Sequence, residues 1–404
     1  MYQGFIAFPR SFAGLVIFLI SGLPVYPQTA QSPYTSLGLG DIIQPQLVPN
    51  MGMGVASVAY PSYKNFNLLN PAMLGIRTYL TTFEVGFSGE TRLINRDTLS
   101  QRNGSGNLNY LALAFPVWQS KISSGIGLAP YSYMNYNIIS ENDVNGREEI
   151  ARFNFRGNGG MNSVFWSTGM KIFRKFAIGM KVSYLFGARV EETILNIAQQ
   201  NAYTTALYEE TKVNDFHLAL GLAFDHRFNE NSEIILAGIY ELGNDLNATR
   251  QERLERRQPG TGLLLSTDTI LSDVKGNIRL PQKYGVGISY IHANKWLLSG
   301  DVLMQDWSGF RNFRNQQDLL SNSYRAAFGV EYIPDPSSVS SYLERMVYRV
   351  GGYYEITPFR LNNEQIYDFG INFGVSLPVL NLNSPSLVSI ALQYGQRSGN
   401  FETP

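Results

Sequence analysis

Long runs of residues with a strict two-residue period constrain this chain more than any other feature. Across residues 176–192, Phe176, Ile178, Met180, Val182, Tyr184, Phe186, Ala188 and Val190 fall on one side of an extended chain. Ala177, Gly179, Lys181, Ser183, Gly187, Arg189 and Glu191 fall on the other. The split recurs where Phe216, Leu218, Leu220, Leu222 and Phe224 alternate with His217, Ala219, Gly221, Ala223 and Asp225. It recurs again where Tyr367, Phe369, Ile371, Phe373, Val375 and Leu377 alternate with Asp368, Gly370, Asn372, Gly374 and Ser376. One face is large and apolar, the other small or polar. A soluble sandwich also alternates in this way. Run length separates the two, because many runs reach the roughly 9–11 residues of a tilted membrane strand, against about 5–6 in soluble sheets.

The connections carry a second rhythm. Tight links at 119–120, 174–175, 229–231 and 293–294 interleave with long polar stretches at 96–105, 193–207, 247–276 and 307–320. Short turns on one side and long loops on the other are the signature of an outer-membrane barrel, with the short turns toward the periplasm. The expected fold is all-β, a transmembrane antiparallel β-barrel with an N-terminal plug. About thirteen strands can be counted between Tyr79 and Gln396. Single-chain bacterial barrels use even numbers, so about fourteen strands are expected in the complete protein, with the last strand missing from this chain. The absence of an aromatic residue at the end of "RSGNFETP" agrees. Splitting the 147–173 run at its "GNGG" would restore an even count instead.

Composition narrows function. Only 16% of the 404 residues are charged, below the ~25% usual for soluble domains. Lys+Arg and Asp+Glu are both 32 and no basic stripe appears, so no nucleic-acid partner is expected. With no cysteine there can be no disulfide, thiolate zinc site or thiol nucleophile. Arg10 precedes a short apolar run, Ser11 to Leu23, and small residues follow near Ala30. Residues 1–30 therefore read as an export signal. Beyond it no apolar stretch is long enough for a spanning helix. The domain expectation is a signal peptide at 1–30, a periplasmic or lumenal plug at 31–77, and a barrel at 78–404.

Residues 31–77 are rich in Gly, Pro, Ser and Asn but also carry Leu37, Leu39, Ile42, Ile43, Leu68, Leu69 and Met73, too apolar for a solvated tail. Charges recur on the small-residue faces: Glu84, Lys181, Arg189, Asp301, Arg325, Glu331, Arg349, Glu355 and Asp368. Lys181, Arg189, Arg325 and Arg349 are candidates for lumen ligand or plug contacts: pairing across the lumen to hold a plug, or, for Arg189, Arg325 and Arg349, binding a ligand carboxylate through a guanidinium fork. The only histidines are His217, His226 and His292, and no catalytic triad, metal-ligand cluster or Walker lysine can be read. No enzyme activity, metal or cofactor is expected. The charged stretch 250–258, "RQERLERRQ", reads as a solvated loop helix, with the nearby "GLLLS" as an outer collecting surface for an apolar ligand. Trp118, Trp296 and Tyr332 read as interfacial girdle residues.

Within "SSGIGLAPYSYMNYNII", Pro130 interrupts an otherwise regular strand. Three elements together resemble the FadL/TodX family of outer-membrane transporters for long-chain fatty acids or aromatic hydrocarbons. These are "NPA" (Asn70, Pro71, Ala72) in the plug-like segment, "GIGLAP" (Gly125 to Pro130) in the third strand, and the succession of long alternating strands. The resemblance implies a fourteen-strand barrel with an N-terminal hatch and a third strand that bends inward, opening a lateral gap around Gly125, Gly127 and Pro130. It implies passive uptake of a hydrophobic small molecule or lipid, with outer-membrane lipids and the barrel assembly machinery as partners. The alternative is a FadL-like scaffold for protein secretion or surface attachment, with a secretion-system protein as partner. Pro130 as a simple bulge at the barrel rim is the structural alternative.

Overall fold

The structure is a computed structural model that describes residues 31–62, 65–77, 80–96, 99–118, 121–143, 150–197, 203–318, 320–361, 364–379 and 386–398. The expected signal peptide lies outside the described residues. The N-terminal segment carries β1 (Asp41–Ile42) and two short helices, α1 (Val48–Met51) and α2 (Met73–Arg77). There follow β2 (Thr82–Arg96), β3 (Leu99–Trp118), β4 (Ile122–Asp143), β5 (Ile150–Lys171), β6 (Phe176–Ile197), β7 (Thr204–Asn229), β8 (Ser232–Glu241), β9 (Asn244–Arg257), β10 (Leu264–Leu280), β11 (Lys283–His292), β12 (Trp296–Gln305), β13 (Ser323–Tyr332), β14 (Val347–Leu361), β15 (Glu364–Val379) and β16 (Ser386–Ser398).

One antiparallel sheet joins them, and its main path holds thirteen strands, β2 to β8 followed by β11 to β16. The exception is at β7, whose second half pairs with β8 and whose first half pairs with β9. β9 folds back onto β10, and β10 continues into β11 across Pro281. A proline cannot donate to a ladder, which suits that break. β5 is one uninterrupted strand, so the "GNGG" run does not divide it.

The apolar faces are the exposed ones. On β7, Phe216 and Leu222 are 62% and 64% exposed, whereas Ala219 and Ala223 on the opposite face are 1% and 4% exposed. On β15, Ile371 and Phe373 are exposed while Asn372 and Ser376 are fully buried. This inversion suits a sheet whose outer solvent is lipid and whose polar face looks inward. Among the described residues no helix is long and apolar enough to cross a membrane.

Three expectations need correction. Stretches 96–105, 193–207 and 247–276 are largely strand, because hairpins run on well past the apolar band. Residues 250–257 lie within β9 rather than in a helix. Across the ladder they are met by β7, where Thr211 faces Arg250, Glu209 faces Glu252 and Tyr208 faces Arg253. Finally, the end of the sheet with the short turns also carries a long connection, residues 333–346, so not every link there is tight. The turn at Ala293 and Asn294 has φ of 54° and 53°, the geometry a two-residue hairpin link requires.

The chain divides into two compact units, one of Met1–Gln31 with Phe87–Asn107, the other of Ser32–Gly86 with Leu108–Pro404. In the first, Arg92 pairs with Glu90, and the Gln101 amide donates to Gln31 Oε1 at 3.4 Å. Residues 32–77 and strands β4 to β16 belong to the second.

Candidate functional site

The site is the inner face of the sheet together with residues 32–77, which touch it along its whole width. Two asparagines shape the segment. Asn67 Nδ2 donates to the carbonyls of Ser57 at 2.7 Å and Tyr60 at 3.2 Å, and its Oδ1 accepts from the amides of Leu69 and Asn70. Asn70, fully buried, donates from Nδ2 to Val58 O at 2.9 Å and Gly238 O at 3.4 Å and accepts from the Ala72 amide at 3.0 Å. Short amide side chains that replace backbone partners are what hold a compact turn without regular structure. Pro71 and Ala72 then lie so close to β6 and β7 that a Cβ at Gly179 or Gly221 would overlap them.

Wall charges fasten the same segment. Asp301 accepts from the amides of Ser57 at 2.6 Å and Val58 at 2.9 Å, and Glu84 accepts from the Phe66 amide at 2.6 Å. Lys181 Nζ donates to Leu68 O at 3.0 Å, and Arg189 donates to Gly38 O while pairing with Glu191 at 2.8 Å. Tyr60 donates to Glu331 at 2.9 Å, which also pairs with Arg349 at 2.7 Å. Burial, reinforced by Glu331, pushes the Tyr60 phenol above its usual range, so it stays a donor. Of the four basic candidates, Lys181 and Arg189 thus bind the segment directly and Arg349 acts through Glu331. Arg325 instead braces strands, 3.7 Å from Glu355 and over the Tyr353 ring.

The wall departs from regular pairing at β4. Its ladder with β3 runs from Trp118 opposite Ile122 to Leu111 opposite Leu128 and ends there. On the other edge Pro130 faces Asn162 of β5, and the register shifts between Pro130 and Ser132. Gly125 lies against Phe66, and Gly127 lies against Phe165. Beyond the end of the β3 ladder, the N-terminal segment takes up the edge of β4. Asp41 and Ile42 pair with Tyr133 and Ser132, Ile43 N donates to Tyr131 O at 2.8 Å, and Ser32 N donates to Asn135 O at 2.8 Å. Asp41 is further held by Tyr133 at 3.0 Å and by Arg397 of β16 at 2.9 Å.

Among the described residues, the space beside the segment includes a larger and a smaller cavity. The larger, about 440 Å³, is lined by Gly38, Arg189, Glu209, Arg250, Arg314 and Asp318 among others. Its charges are cross-linked: Arg250 pairs with Glu209 and Glu252, and Arg314 with the same two at 3.1 and 2.9 Å. The smaller, about 30 Å³, lies by Pro130 and Tyr131 and is lined by Lys181, His217, Glu241 and Lys283. Among the described residues no group of three metal-ligating side chains comes together. Sequence reasoning missed Asp41, Glu241, Lys283 and Arg397. Each is an isolated charge in its own stretch, and only strand register brings them together.

A family model described as BamG matches residues 10–402. The chain belongs to the BamG family. No curated protein matches it in sequence. Among solved structures, this BamG-family chain is similar to a CymD monoaromatic hydrocarbon channel, with 14% identity over 90% of this chain and 94% of that one, TM-score 0.53. It is similar to a Pseudomonas aeruginosa FadL homologue, with 14% identity over 89% and 91% of the two chains, TM-score 0.52. The toluene transporter TodX of P. putida gives 13% identity over 87% and 98%, TM-score 0.50. At these identities the likeness establishes the fold, that of the FadL-type outer-membrane β-barrels. The FadL/TodX resemblance therefore holds for architecture, while the sequence family is BamG.

Proposed function

We propose that this chain is a plugged, non-conducting barrel that serves as a protein scaffold alongside the outer-membrane barrel assembly machinery, to which the family's name points. The observation that carries this reading is how the inner charges are used. A conduit for a hydrocarbon or fatty acid needs a continuous apolar path. Here the 440 Å³ cavity is walled by Arg189, Glu209, Arg250, Arg314 and Asp318, and the basic candidates spend their donors on the plug or on neighbouring carboxylates. A scaffold also needs a surface to offer. β10 pairs with β9 along one edge, exposes Leu264, Leu265, Ile270 and Val274, and on its other side makes only an isolated bridge from Arg279 to Arg311 among the described residues. A partner strand from an assembly subunit fits such an edge.

Passive uptake of a hydrophobic small molecule is the second reading, favoured by the early end of the β3–β4 ladder beside Pro130. The two separate in one experiment. The chain, tagged and extracted gently from native outer membranes, should bring down barrel-assembly subunits in fixed stoichiometry. The same preparation in liposomes should admit neither a radiolabelled fatty acid nor toluene above the empty-vesicle rate. Uptake without a protein partner would reverse the assignment.

A further inference from the structure

The small cavity beside Pro130 holds an unbalanced set of charges. Lys283 faces Glu241 on β8, Glu241 faces Ala219 on β7, and Ala219 faces Lys181 on β6, so the three charged side chains share one row across four adjacent strands. The small Ala219 leaves room for the flanking chains to converge above it. All are interior: Lys181 is 7%, Glu241 7% and Lys283 4% exposed. Lys283 Nζ is 2.9 Å from Glu241, which satisfies that pair. Among the described residues Lys181 has no carboxylate of its own and instead meets the Leu68 carbonyl at 3.0 Å and the Phe165 ring at 5.8 Å. Two ammonium groups therefore face one carboxylate in a water-poor interior, where an uncompensated charge is costly.

His217 borders the same cavity. Asn244 donates from Nδ2 to Phe216 O at 2.9 Å, which turns its Oδ1 toward His217 Nδ1 at 3.1 Å, so Nδ1 carries a hydrogen. Nε2 then lines the cavity, buried and without a hydrogen-bond partner, 3.5 Å from Glu241.

We propose that this cavity is a binding site for a single monatomic anion, of which chloride is the abundant example, held by Lys181 and Lys283. Its volume of about 30 Å³ matches one water-sized occupant and excludes a carboxylate with its carbon chain. The anion neutralises the excess charge while Lys181 keeps one donor on Leu68 O. Halide occupancy thus tightens the hold of the wall on the N-terminal segment.

The test compares melting of the purified full chain in detergent at constant ionic strength, with sodium chloride or bromide replacing sodium gluconate, which is too large for the cavity. The wild type should gain several degrees, saturating with halide. Lys181→Gln leaves the Glu241–Lys283 pair neutral, so it should fold and melt independently of halide. Crystals grown in bromide should show an anomalous peak between Lys181 and Lys283. Equal halide dependence in wild type and Lys181→Gln would overturn the proposal. So would an ordered water, with no anomalous signal, in the bromide crystals.

Discussion

Asn70 ties the N-terminal segment both to itself and to the sheet through one side chain. Its amide donates to Val58 and Gly238 while its carbonyl accepts from Ala72, and all of this happens at full burial. Truncation strips partners from buried backbone groups, which costs about 1–3 kcal/mol. Asn70→Ala should therefore lower the thermal midpoint of the purified protein and expose 32–77 to protease before the sheet itself melts. An unchanged protease pattern would mean the wall charges alone suffice. Asp318 offers a pH test. Partial burial raises its carboxyl above the ordinary value, against the lowering pull of the Asn312 amide and Arg189. A folded pKa above the unfolded one means the folded state binds more protons between the two values. Its contribution is full below the unfolded pKa and is lost as pH rises through the folded one. Asp318→Asn should flatten that part of the melting-versus-pH curve in mildly acid buffer, with little change in activity-independent properties such as the far-UV spectrum.

Strand β4 is where sequence and structure inform each other most. The alternation and the misfit of Pro130 are plain in the sequence. The short strand Asp41–Ile42 that completes its edge is not, because a two-residue pairing carries no period to detect. The charged run 250–257 failed for a different reason. A dense run of mixed charges looks like any solvated stretch until the partners on β7 are known, and Arg250 meeting Glu209 follows from how the two strands align. Alternation fixes which residues share a face, but not which rows align. The absence of cysteine makes β4 easy to probe. Ile42→Cys with Ser132→Cys places two thiols at directly paired positions, within the Cα range for a disulfide. Mild oxidation should cross-link them nearly completely and raise the thermal midpoint. If the pair stays reduced while the protein remains folded, residues 41–42 are not seated on β4 in the membrane.

At the scale of the whole molecule, the count of strands, the inward polar face and the presence of a packed N-terminal segment were all legible, since each rests on period, length or composition. What stayed hidden is how the segment is locked, because the lock joins residues 356 apart in sequence. Arg397 on β16 donates to Asp41 at 2.9 Å and to Asp368 on β15 at 2.9 Å, and Asp368 in turn accepts from Tyr353 on β14 at 3.0 Å. The bridge ties the strand that caps β4 to the last strands of the sheet, so seating of residues 41–42 should depend on β16 being in place. Arg397→Gln should therefore slow formation of the 42–132 cross-link, although position 397 touches neither cysteine. Asp41→Asn should slow it similarly, and the double variant should be little worse than either alone, because contacting partners are not additive. If the two effects add in full, Asp41 and Arg397 act independently and the last strand does not govern the first.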